Sequence, residues 1–123
     1  MAKVGIVLVS HSPKIAAGLQ ELIGQVITDI PVETAGGTED NGIGTSIDKI
    51  MAAMKKADEG AGVLVFYDLG SAKMNAEMAV EMMETEQIIV METPLVESAY
   101  VAAVESNMGK SLEEVQKTVE KDF

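Results

Sequence analysis

The sequence predicts an α/β fold: one doubly wound sheet of mainly parallel strands, order 2-1-3-4, with helices on both faces. Three observations predict it. The aliphatic runs Val4–Val9 and Gly62–Tyr67 are unbroken by charge, as in strands covered on both sides. Segments with helical apolar spacing alternate with strand-like segments from end to end. The connections are short, and no linker or composition shift divides the chain, so residues 1–123 are expected to form a single domain.

Taken in order, Val4–Val9 is the first strand. Ser12-Pro13 opens the first helix, with serine as cap and proline at the first helical position. Ile15, Leu19, Leu22, Ile23 and Val26 follow at the spacing of one helix face. Pro31–Ala35 is a weaker second strand, and a glycine-rich stretch, Gly36 to Gly44, comes after it. Thr45 or Ser46 caps a helix bearing Ile47, Ile50, Met51 and Met54. Gly62–Tyr67 is the third strand and ends in Asp68-Leu69-Gly70-Ser71, where Ser71 is the expected cap of the third helix. That helix has a core face of Ala72, Ala76, Ala79, Val80 and Met83. A separate row, Met74, Met78 and Met82, points away from the core and is expected to meet a partner. Gln87–Met91 is the fourth strand, and a helix over roughly Val96–Ser106 follows Pro94. Ser111-Leu112-Glu113-Glu114 reads as a capping box opening the last helix, which carries Leu112, Val115, Val119 and Phe123.

Composition excludes several functions. The formal net charge is −11 and every basic residue is lysine. A field of that sign repels phosphate backbones, so no nucleic acid is expected as a partner. The apolar N-terminal run is too short for a membrane span, so no membrane association is expected. Cysteine is absent, which removes disulfides and thiolate metal ligands and fits a cytoplasmic protein. With one histidine and no cysteine, no metal and no cofactor is expected. Gly42-Ile43-Gly44 completes neither a P-loop nor a dinucleotide fingerprint. The loop is read as a mobile rim over the site, with Gly37 and Thr38 at hand for an anion.

Strand order 2-1-3-4 leaves a crevice at the carboxyl ends of strands 1 and 3. His11 ends the first strand and Asp68 ends the third. A lone histidine is more often structural than catalytic, and an aspartate at a strand end is often only a helix cap. Here the topology brings both to the crevice. A carboxylate that accepts one imidazole N–H fixes the tautomer and leaves the other nitrogen free to attack. Ser12 and Ser71 stand at two helix starts beside them, where unpaired N–H groups favour an anion. Gly70 adds backbone access at the second start. The chemistry that fits is phosphoryl transfer through His11, with Asp68 orienting it.

At these residues the sequence resembles a known family. Val9-Ser10-His11-Ser12, Ile43-Gly44-Thr45, Asp68-Leu69-Gly70-Ser71-Ala72 and Pro94-Leu95-Val96-Glu97 are similar to motifs of the phosphotransferase subunit of phosphoenolpyruvate-dependent dihydroxyacetone kinase, related to mannose-type EIIA domains. The resemblance implies an EIIA-mannose-like fold. It implies that the phosphocarrier HPr phosphorylates His11, that Asp68 is the orienting aspartate, and that the group passes to ADP in the nucleotide-binding subunit of the kinase. It also implies a homodimer. Larger family members carry further phosphocarrier domains on one chain, so HPr is expected here as a separate protein. The longer loop after strand 3 and the swapped fifth strand of mannose-type relatives have no counterpart in this sequence. Two alternatives stay open: a mannose-type carrier serving a sugar-transport subunit, and a non-catalytic flavodoxin-like binding module. A chelatase reading is disfavoured by the lack of further metal-binding groups.

Overall fold

The computed structural model describes residues 2–123. Four parallel strands, β1 (Gly5–Ser10), β2 (Val32–Gly36), β3 (Val63–Tyr67) and β4 (Ile88–Met91), form one sheet in the order β2-β1-β3-β4. Five helices accompany them: α1 (Pro13–Gly24), α2 (Ile47–Ala57), α3 (Gly70–Met83), α4 (Leu95–Asn107) and α5 (Leu112–Asp122). No described helix is long and apolar enough to cross a membrane.

Side chains of a strand alternate between the two faces of the sheet, and that alternation builds two cores. Ile6, Leu8, Leu64 and Phe66 face α1, α4 and α5, meeting Leu19, Ile23, Ala99, Ala103, Val115 and Val119. Val7, Val9, Val63 and Val65 face α2 and α3, meeting Ile50, Met54, Ala72, Ala76 and Ala79. The alanines of α3 let that helix lie close against the sheet. Caps are where the chemistry of the sequence puts them: Ser12 accepts from the Ile15 N–H, Ser46 from the Lys49 N–H, and Ser111 with Glu114 completes a capping box.

Three expectations are corrected. The buried residues of α1 are Ala16, Leu19 and Ile23, while Ile15, Leu22 and Val26 are exposed. The reason lies in β2. A Cβ on Gly36 would stand 2.7 Å from Pro13 Cα and 3.0 Å from Ala16 Cβ, so α1 approaches that strand too closely for a large side chain at its first turn. The second correction concerns α3. Its cap residue is Leu69, with no side-chain capping bond, and Ser71 lies inside the first turn. At the far end of the chain, Phe123 is exposed and takes no part in the core.

The Met74, Met78 and Met82 row is exposed as expected. Ser71, Met74, Met78 and Met82 are spaced i, i+3, i+7 and i+11, so they share one stripe of the helix.

Candidate active site at the carboxyl ends of β1 and β3

Register alone brings the two chemical residues together. β1 and β3 pair with Val9 opposite Tyr67, so Ser10-His11 and Asp68 leave the sheet side by side. His11 Nδ1 lies 3.0 Å from Asp68 Oδ1, and the backbone N–H of His11 donates to Oδ2 at 3.0 Å. The Leu69 N–H donates to Oδ1 at 2.7 Å and the Ser10 hydroxyl donates to Oδ2 at 2.7 Å. Asp68 therefore holds four donors, two on each oxygen. Burial pushes its carboxyl pKa up, but the bonds from His11, Ser10 and Leu69 outweigh burial and leave it below the ordinary carboxylate value.

An ionised carboxylate only accepts, so His11 carries its hydrogen on Nδ1. Nε2 is then the unprotonated nitrogen. It accepts from the Ser71 hydroxyl at 2.7 Å. The ring is 18% exposed and is thus reachable from solvent at the Nε2 side. Beside it, the Gly70 and Ser71 N–H groups at the start of α3 are left for an anion, the Ala72 N–H being taken by the Leu69 carbonyl at 2.9 Å.

Ser10 belongs to the candidate site, and sequence reasoning assigned it no role. It is fully buried, its hydroxyl donates to Asp68, and the same oxygen accepts from the Ser12 N–H at 3.0 Å. One hydroxyl thereby ties the orienting carboxylate to the start of α1. A signal was present: Ser10 is the lone polar residue ending an aliphatic run, directly before the histidine.

The remaining expected site residues fall into two groups. Ser12 caps α1, and Gly70 is the first residue of α3, with open space where a side chain would stand. Gly37 donates its N–H to the Ser10 carbonyl at 3.0 Å. Its φ of +76° and its closeness to Pro13, where a Cβ would meet Cγ at 2.5 Å, both require glycine. Thr38 makes its hydrogen bonds within the glycine-rich loop. Its N–H donates to the Gly42 carbonyl at 3.1 Å, and its hydroxyl accepts from the Gly42 N–H at 3.0 Å. The glycine-rich loop is anchored rather than loose. Gly44 donates to the His11 carbonyl at 2.8 Å, and Lys49 Nζ donates to the Gly36 carbonyl at 2.9 Å and to Asn41 at 2.7 Å. Asn75 on α3 donates to Thr45 at the loop's end. Among the described residues, no three His, Asp or Glu side chains gather as metal ligands.

Residues 5–116 match the EIIA-man family, described as "PTS system fructose IIA component". The phosphotransferase subunit DhaM of PTS-dependent dihydroxyacetone kinase from Lactococcus lactis is 42% identical over 117 residues, covering 95% of this chain and 94% of that one. The phosphoryl donor subunit DhaM of dihydroxyacetone kinase 1 from Listeria innocua is 42% identical over 119 residues, covering 94% of each. The DhaM subunit of Escherichia coli is 34% identical over 119 residues, and the match spans 25% of that longer protein. Among solved structures, a protein of unknown function superposes with a TM-score of 0.86 at 32% identity, covering 98% of this chain and 94% of that one. The dihydroxyacetone kinase of C. freundii superposes with a TM-score of 0.68 at 12% identity over 97% of this chain and 24% of that one, a likeness of fold alone. A family match over nearly the whole chain, together with relatives at this identity and coverage, places the chain in the EIIA-man family, among the DhaM phosphotransferase subunits.

Proposed function

We propose that the protein is a phosphoryl carrier that takes the group from phospho-HPr onto Nε2 of His11 and passes it to ADP in the nucleotide-binding subunit of dihydroxyacetone kinase. The observation that carries this reading is the pairing of Nδ1 with Asp68 while Nε2 points to the solvent side. In the first transfer, the Nε2 lone pair forms the new N–P bond as the bond to the donor nitrogen breaks. The ring becomes cationic, and Asp68 stabilises it through the Nδ1–H it already accepts. In the second, a β-phosphate oxygen of ADP attacks phosphorus, the N–P bond breaks, and the lone pair returns to Nε2. No proton is gained or lost by His11 in the cycle. The start of α3 supplies donors for the phosphoryl oxygens, and in-line positioning does the rest.

The test is to incubate the chain with phosphoenolpyruvate, Enzyme I and HPr, then add the nucleotide-binding subunit loaded with ADP. Label stable to alkali, labile to acid, and discharged by that subunit supports the scheme. Discharge only by a sugar-transport subunit would move the protein to the mannose-type role.

Ser71 gives a sharper prediction. Its hydroxyl satisfies Nε2 in the resting site, and it must turn its hydrogen toward a phosphoryl oxygen once the nitrogen is occupied. Ser71→Ala is expected to slow acceptance by roughly 100- to 1,000-fold, as expected for the loss of one such donor, without changing the stability of the fold. Stopped-flow transfer from labelled HPr measures it, and an unchanged rate would leave Ser71 a bystander.

The methionine row begins one turn from Ser71 on the same stripe, so a partner reaching Nε2 over α3 meets it. We assign that stripe to an interface, either with a second copy of the chain or with the kinase subunit. Met78→Glu is expected to weaken association about tenfold or more, because it sets a charge in a desolvated contact. Sedimentation of the chain alone and with the subunit distinguishes the two partners, and unaltered sedimentation with unaltered transfer would remove the assignment.

A further inference from the structure

Ser71 and Asn75 lie four residues apart on α3 and so share one face of the helix. Ser71 reaches the imidazole, its hydroxyl 2.7 Å from His11 Nε2. Asn75 reaches the glycine-rich loop, where its Nδ2 donates to Thr45 Oγ1. The residue before Thr45 completes the path, since the Gly44 N–H donates to the His11 carbonyl at 2.8 Å. One circuit therefore leaves the ring of His11 through Ser71 and follows one turn of α3. It passes through Asn75, Thr45 and Gly44 and returns to the main chain of His11.

Asn75 is the link on which this circuit depends. Among the described residues, no other side chain of α3 makes a hydrogen bond to the loop; the anchor from α2, Lys49, holds Gly36 and Asn41 instead. The loop meets α3 across a cavity of about 380 Å³ lined by Thr38, Glu39, Thr45, Asp48 and Asn75, so close packing does not join them there. The end of the loop is tightly folded. Gly44 stands at φ +143°, and a Cβ on it would lie 2.7 Å from Thr38 Cγ2. A displacement of Thr45 is therefore passed on to the His11 carbonyl rather than absorbed.

We infer that Asn75 is a positioning residue for phosphoryl transfer, acting through Thr45 and Gly44 on the main chain of His11 so that Nε2 stays aimed at the start of α3. The inference rests on the carrier role given above. In-line attack tolerates little misplacement: a shift of about 1 Å caused by a change remote from the chemistry can lower a rate about a hundredfold. The circuit sets the distance between the ring and the Gly70 and Ser71 N–H groups. The competing role for Asn75 is a direct contact with the incoming protein, since the residue is only half-buried.

The test is single-turnover transfer from phospho-HPr to the full chain over a range of donor concentrations, with amide exchange of the unphosphorylated chain read in parallel. Asn75→Ala is expected to slow transfer within the complex by about 10- to 100-fold while the half-saturating donor concentration stays unchanged. Thr45→Val removes the same bond from the other side and is expected to match it, and the double variant is expected to be no slower than either single change. Thr45→Ser keeps the hydroxyl and is expected to restore transfer relative to Thr45→Val. Exchange of the Gly44 amide is expected to quicken about tenfold or more in Asn75→Ala and in Thr45→Val. Should Asn75→Ala not fold, the two Thr45 variants decide. A raised half-saturating concentration with an unchanged rate would make Asn75 a docking contact and overturn the inference. Additive effects, or Gly44 exchange left unaltered, would overturn it as well. A parent chain that accepts no phosphoryl group would remove the carrier role instead, whereas the exchange readout tests the link from Asn75 to Gly44 whatever the donor.

Discussion

His11→Ala is expected to lower phosphoryl acceptance by at least about a thousandfold while leaving the fold intact. Removing a nucleophile commonly has an effect of this order or larger, because no neighbouring group inherits its geometry. The imidazole is partly exposed, and Asp68 would keep three of its four donors, so unfolding by denaturant should change little. The measurement is label transfer from phospho-HPr, followed by acid treatment of the product. Residual label that resists acid would mark an ester, and the nearest hydroxyl is that of Ser71. Undiminished acid-labile label would show that the phosphoryl group never resided on this ring.

Asp68→Asn is expected to impair transfer by about 10³- to 10⁴-fold, in line with other sites where a carboxamide imposes the wrong imidazole tautomer. The argument comes from the two fixed backbone donors. Leu69 N–H points at one oxygen and His11 N–H at the other. A carboxamide has only one oxygen, so one of these N–H groups must face an NH₂ group in either orientation. If the amide nitrogen takes the Oδ1 position, it donates to Nδ1 and drives the ring hydrogen onto Nε2, removing the nucleophile. If it takes the Oδ2 position, the tautomer survives but the nucleophile's own backbone loses its acceptor. A stability loss of about 1–3 kcal/mol should accompany the change. The loss depends on pH in a definite direction. The folded Asp68 carboxyl lies below its ordinary value. Its contribution is therefore fully present above the unfolded value of about 3.9 and disappears as pH falls through the folded one. The stability gap between the parent chain and Asp68→Asn should narrow below about pH 4 in urea titrations. A constant gap across that range would show that the carboxylate's ionisation contributes nothing.

The strand order was legible because the aliphatic runs of β1 and β3 admit few alternatives, and the order in turn puts His11 beside Asp68. Less was visible where small residues decide. On α1, the eye follows Ile15, Leu22 and Val26, yet the helix turns Ala16 inward because Gly36 leaves no room for more. On α3, a serine after a strand looks like a cap. The carboxylate of Asp68 already binds the Leu69 N–H, so the helix starts earlier and frees Ser71 for the imidazole. Ser10 was hidden for a different reason. Its position at the end of an aliphatic run marks it as polar, but its partner, 58 positions away, becomes evident only when the two segments meet.

The main chain of His11 is gripped at both polar ends, its N–H by Asp68 and its carbonyl by Gly44. A visiting protein therefore finds a landing place that needs no moulding on arrival. The ordering entropy of the acceptor is met during folding, and what remains for the encounter is alignment of two rigid bodies and one hydroxyl torsion. Such a place can serve visitors of unrelated shape in turn, which a relay that loads from one protein and unloads to another requires.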